Sequence, residues 1–191
     1  HPAVRCHTGH PALAVHQPPL VPRPPPTPGG APPVQQPGPY LTERSKLEAA
    51  LPKFIEAADK YPATPSGIAA RYHAASILAT LGRYPEAEQR FEEVVARAGS
   101  TLYARTGRLG LAEVQVAQKK YDNAITIYTE MSRDTSSQMP VDGVLMQLGR
   151  ALALAGRKEE AVRAFTRVTE EFPTSLYAAD AKRELEEARK S

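Results

Sequence analysis

Gly82-Arg83-Tyr84-Pro85-Glu86-Ala87-Glu88-Gln89-Arg90-Phe91 reads as the corner of a helical hairpin. Gly82 ends one helix, where a residue free to take the left-handed conformation is favoured. Pro85 opens the next helix, where a missing N–H leaves nothing unsatisfied. Ala87 and Phe91 lie four apart and share a face of that second helix. The corner returns as Lys119-Lys120-Tyr121-Asp122-Asn123-Ala124-Ile125-Thr126-Ile127-Tyr128, and again as Gly156-Arg157-Lys158-Glu159-Glu160-Ala161-Val162-Arg163-Ala164-Phe165. The step is 37 residues each time, and one step back from Ala87 and Phe91 stand Ala50 and Phe54. The breaker positions Pro62, Gly99, Ser136 and Pro173 keep the same step, and Ser100-Thr101-Leu102-Tyr103-Ala104 parallels Thr174-Ser175-Leu176-Tyr177-Ala178. A constant period of this size, built from two helices, predicts an all-α solenoid.

Outward from the corners, helices are expected over Thr64–Leu81, Pro85–Arg97, Ser100–Gln118, Asp122–Ser132, Pro140–Ala155 and Glu159–Glu171, and from Thr174 to Lys190. Thr64 and Pro65 supply an N-cap and first-turn proline. Ahead of them, Leu47, Leu51, Phe54 and Ala58 fall at helical spacing, and Ser45-Lys46-Leu47-Glu48 fits a capping box. Pro52 would then lie about one turn in and kink the helix. The expected organisation is a half repeat over 45–62, repeats over 63–99, 100–136 and 137–173, and a capping helix over 174–190. The final helix is polar, with one wet face, as a terminal cap must be.

Residues 1–41 differ in kind. Positions 1–40 hold 13 of the 19 prolines. Proline at that density blocks helices and strand ladders and favours extended polyproline II, so a disordered tail or linker is expected. The helix that the period demands before Leu47 falls on this proline stretch, so the first unit is half a repeat. The half repeat is expected to cap the stack or pack on itself; the alternative is an apolar face offered to a partner or second copy.

Bulk composition excludes several classes. Of 24 basic residues only Arg5 and Arg23 precede position 41, which leaves 22 bases against 21 acids afterwards. That balance offers no stripe for nucleic acid or an anionic membrane. No apolar run approaches the roughly 20 residues that span a bilayer, so membrane association would come only through an anchor upstream of His1. The single cysteine, Cys6, permits no internal disulfide. Cys6, His7 and His10 cluster with His16 near, but nothing later in the chain supplies the folded four-ligand frame of a metal site, and an unstructured polar tail is expected. No phosphate-cradling loop, Gly-x-Ser-x-Gly or His-Glu-x-x-His pattern is present. His73 stands alone on a helix. Glu92-Glu93, Glu159-Glu160 and Glu170-Glu171 are adjacent pairs whose side chains diverge by about 100° on a helix, which suits solvated faces. No catalytic residue, metal, cofactor or small-molecule substrate is expected.

On these residues the chain resembles the tetratricopeptide repeat family. Ala75, Gly82, Tyr84, Ala87 and Phe91 match one unit of that family's pattern. Ala112, Tyr121, Ala124 and Tyr128 match the next, and Leu148-Gly149, Gly156, Ala161, Phe165 and Pro173 the third. Val94, Met131 and Val168 depart from its small residue in helix B, Lys119 replaces the corner glycine, and Lys158 the corner tyrosine. The resemblance covers about 45–190 and implies a right-handed stack of helix pairs A and B, with a protein or peptide partner held in the concave groove lined by the A helices. The groove positions it implies are Tyr72, Ser76 and Thr80; Leu109, Glu113 and Val116; Met146, Arg150 and Ala153; and Arg183 and Glu187. The set lacks the basic cluster that clamps a terminal carboxylate, and a mixed groove for a helix or extended chain fits it better. The long period, the closures Tyr61-Pro62 and Phe172-Pro173-Thr174-Ser175, and the proline-rich lead-in are similar to bacterial cell-envelope members. That likeness implies the periplasm, an inner-membrane anchor, and a role in envelope assembly or protein translocation. The alternative is a self-associating structural module built on the half repeat.

Overall fold

The computed structural model describes residues 42–134 and 139–191; the proline-rich segment 1–41 and the 135–138 part of the polar loop lie outside them. The described residues form helices without strands: α1 (Glu43–Lys60), α2 (Pro65–Thr80), α3 (Tyr84–Ala98), α4 (Leu102–Ala117), α5 (Tyr121–Arg133), α6 (Asp142–Leu154), α7 (Lys158–Glu171) and α8 (Ala178–Lys190). Each helix packs on the next in the chain, and α2 also touches α4, the arrangement of a stacked solenoid.

The corners repeat in their hydrogen bonds as well as their residues. Gly82 and Gly156 take φ of 77° and 76°. Arg83 N–H donates to the Leu78 carbonyl and Arg157 N–H to that of Leu152, each at 2.9 Å, closing the helix with a Schellman turn. The middle corner makes the same turn with Lys120 N–H on the Gln115 carbonyl at 2.8 Å. There Lys119 holds φ at 61° without being glycine.

The phased residues are packing residues. Ala75, Ala87, Ala112, Ala124 and Ala161 are fully buried, and Phe91, Tyr128 and Phe165 nearly so. Phe165 fits because Gly149 has no side chain: a Cβ there would lie 2.5 Å from its ring. The large Val94, which departs from the expected small residue, is accommodated by Gly107 of α4, where a Cβ would meet Val94 Cγ1 at 2.9 Å. The core has a cluster spanning α1 to α4 and another spanning α4 to α8, and α4 gives residues to both.

The α1 start corrects the expected capping box. Thr42, not Ser45, is the N-cap, and its hydroxyl accepts the Ser45 N–H at 3.1 Å. Glu48 instead accepts from Arg44 at 3.1 Å. Pro52 therefore sits mid-helix on an exposed face, where its absent N–H leaves the Glu48 carbonyl without its helical donor. Leu51 and Ala58 are buried, and Leu47, Ala50, Phe54 and Ile55 are half-buried against the first cluster. No large apolar side chain of α1 is exposed.

A second correction concerns α8, which begins at Ala178 and not at Thr174. Ser175 donates its hydroxyl to Asp142 Oδ2 at 2.6 Å, and the Tyr177 N–H donates to Ser175 Oγ at 3.1 Å. This tie to α6 holds 174–177 in turns and leaves Leu176 outside the helix, 96% exposed.

Arg71 of α2 is buried between α1 and α3. It pairs with Glu93 and donates to the Ala58 carbonyl at 3.1 Å, while Arg90 joins Asp59 at 3.2 Å. One period on, Arg108 pairs with Glu130 at 2.9 Å. The cross-helix ion pair recurs in two units and is lost in the third, where Leu145 and Arg167 hold those phases.

Candidate interaction groove

The even-numbered helices α2, α4, α6 and α8 occupy the A position of each unit and line three successive clefts. The cleft between α2 and α4 has a volume of about 390 Å³ and includes Tyr72, Ser76, Thr80, Tyr84, Leu109 and Glu113. The next, of about 400 Å³, is bounded by Arg105, Leu109, Glu113, Tyr128, Asp142 and Tyr177. The last, of about 490 Å³, lies between α6 and α8 and includes Arg150, Ala153, Leu154, Glu184 and Glu187. Leu109 and Glu113 border the first two and mark the middle of this surface.

Local structure fixes the walls. Ser76 donates its hydroxyl to the Tyr72 carbonyl at 3.0 Å, and Thr80 donates to the Ser76 carbonyl at 2.9 Å. Tyr72 packs edge-on to Phe91, centroids 5.9 Å apart, and lies 5.5 Å from Tyr103. Phe91 in turn lies against Gly110, where a Cβ would come within 2.4 Å of its ring. His73 is exposed and its ring lies 5.3 Å from Phe54, which suits a surface packing role.

Of the eleven groove candidates, Tyr72, Ser76, Thr80, Leu109 and Glu113 border the first cleft and Arg150, Ala153 and Glu187 the third. Arg183 is exposed but tied to Asp180 at 3.0 Å. Met146 is fully buried; it is core and presents nothing to a partner. Val116 is half-buried against the second core cluster. The residues in phase with Thr80 are Ala117 and Leu154, one and two 37-residue steps on. Both line clefts, and following the period strictly would have found them.

Arg150 does not stand ready for an incoming carboxylate. Its Nε and Nη2 donate to Glu184 Oε1 and Oε2 at 2.8 and 2.9 Å, a bidentate pair joining α6 to α8. That hydrogen bond raises the Arg150 pKa above its ordinary value. Burial, helped by the Glu113 charge, pushes the Tyr128 hydroxyl up to about 12. It stays neutral at physiological pH. Among the described residues, no group of His, Cys, Asp and Glu could hold a metal ion, and no helix is long and apolar enough to cross a membrane.

The stacked helix pairs, their glycine corners and the small-residue packing define a helical-repeat protein. The chain belongs to the tetratricopeptide repeat-like family, whose domain model matches residues 41–175. No curated protein matches the sequence. Among solved structures, the fold is similar to nearly identical TPR-like repeats of a protein described as a kinesin light chain of Podosopora anserina. That likeness has 17% identity, a TM-score of 0.67, and covers 78% of this chain and 80% of the other. It is also similar to YrrB, titled a TPR protein with an unusual peptide-binding site, at 24% identity and TM-score 0.58, covering 76% and 69%. A structure titled MamA RS-1 ArsTM double mutant gives 18% identity and TM-score 0.56, covering 77% and 87%.

Proposed function

We propose that the chain is a non-catalytic scaffold that holds a polypeptide segment of a partner along the surface formed by α2, α4, α6 and α8. The carrying observation is the row of three clefts, each bordered by successive A-position helices and lined by both apolar and polar groups. A row of mixed clefts suits the side chains of one extended or helical segment. The clustering of Ser76, Glu113, Arg150 and Glu187 at one period along this surface supports the same reading. The envelope setting, with assembly or translocation as the process, is proposed on the likeness of the long period and the Tyr-Pro and Phe-Pro-x-Ser closures to cell-envelope members. Self-association through α1 has less support, since that helix leaves no large apolar side chain exposed.

A random-peptide display selection against residues 1–191 tests the groove. Leu109 borders two clefts, so Leu109→Arg is expected to abolish binding of the selected peptides. Glu92→Arg, on the exposed face of α3, is expected to leave it unchanged. Peptides indifferent to Leu109→Arg, or no enrichment at all, would refute the assignment.

A further inference from the structure

The cleft between α2 and α4 has a distinct chemistry: its lining includes Tyr72, Ser76, Thr80, Tyr84 and Glu113 but no lysine, arginine or histidine. The Ser76 and Thr80 hydrogens are committed to helix carbonyls, so those hydroxyls turn lone pairs outward. Tyr72 and Tyr84 add electron-rich rings. Glu113 is exposed and makes no side-chain hydrogen bond or ion pair among the described residues. The guanidinium one period along, Arg150, is held by Glu184. Arg105 lines the neighbouring cleft and forms no ion pair with Glu113. The cleft thus gathers acceptors, rings and an uncompensated negative charge.

We propose that this cleft takes a lysine or arginine side chain of the bound segment, with the cationic head at Glu113 and the alkyl stem along Leu109 and Ala79. The proposal rests on the groove reading and names the chemistry of its occupant. An acidic side chain would meet the Glu113 carboxylate and the hydroxyl lone pairs. An apolar one would cover Glu113 without pairing it. A basic side chain satisfies the carboxylate, and its stem covers the apolar wall.

The test is a set of NMR titrations of the whole chain with Ac-Ala-Ala-Lys-Ala-Ala-NH2 and its norleucine and glutamate counterparts. The lysine peptide should shift the amides of Thr80, Leu109, Gly110 and Glu113 and bind about fivefold more tightly than the norleucine peptide, as an exposed ion pair and ring contacts together allow. Glu113→Gln should erase that preference while leaving the thermal melt unchanged. Equal binding of lysine and norleucine, a lysine preference that survives Glu113→Gln, or no shifts from any peptide would overturn the proposal. Display-selected peptides that need Leu109 but carry no basic residue would overturn it while leaving the groove reading intact.

Discussion

The middle repeat, α4 and α5, keeps the backbone of its neighbours while changing their chemistry. In the flanking units a glycine takes the left-handed corner position, and an arginine closes on a glutamate three residues later. Arg83 reaches Glu86 at 2.9 and 2.7 Å, and Arg157 reaches Glu160 at 2.9 and 2.8 Å. These hydrogen bonds hold the Glu86 and Glu160 carboxyls below the usual carboxylate range. The middle corner has Lys119 for glycine and Asn123 where the partner glutamate would stand. It is tied instead to the preceding unit: Gln118 and Lys120 donate to Glu88 of α3 at 2.6 and 2.9 Å. Inside the same unit, Gln115 occupies the phase of Leu78 and Leu152, and its Oε1 is buried without a partner among the described residues. The flanking corners each close on their own glutamate, although Arg157 also reaches Asp122 of α5 at 3.6 Å, and the middle one relies on its neighbour alone. A repeat can therefore lose its own corner chemistry as long as the stack supplies another anchor. The departures fall in the unit whose Leu109 and Glu113 border two clefts.

The largest effect is expected from removing a phased aromatic in a flanking unit. Phe91→Ala or Phe165→Ala should cost about 3–5 kcal/mol in chemical denaturation, because each leaves a cavity under a ring that its neighbours cannot fill. Glu88→Ala should come next, at about 1.5–3 kcal/mol, since it strips a shielded carboxylate from two donors. Glu86→Ala, by contrast, should shift the melting temperature far less, because that pair is open to solvent. If the two glutamates proved equivalent, the contrast between local and borrowed corners would fail.

Restoring the repeat in the middle unit should stabilise it. Gln115→Leu should add about 1–3 kcal/mol by removing a buried polar atom without a partner. Lys119→Gly should add about 1 kcal/mol by relieving a left-handed backbone at a side-chain-bearing residue. Both gains are read from thermal or urea melts. The reverse change, Gly156→Lys, should lose about as much as Lys119→Gly gains.

Period, corners and buried face were legible because glycine, proline, alanine and phenylalanine each act on the chain through sterics that survive in one dimension. The half repeat expected before Thr64 turns on residues 1–41, which lie outside the described residues. Boundaries were less so. Ser175 resembles Thr101 in sequence, but its hydroxyl reaches Asp142 on another helix, a contact that no local pattern encodes. Met146 shares the phase of Tyr72 and Leu109 yet is fully buried. A-position helices contact neighbours on more than one face, so phase alone does not separate groove from core. The Arg71–Glu93 pair has a signal in the period, since Arg108 and Glu130 stand one step later.

The most direct test of the groove is amide-shift mapping with a display-selected peptide on the isotopically labelled chain. Shifts concentrated at Ser76, Leu109, Glu113 and Ala153, with Glu92, Arg97 and Arg163 silent, are the expected result. Shifts confined to α3 or α7, away from the row of clefts, would contradict it.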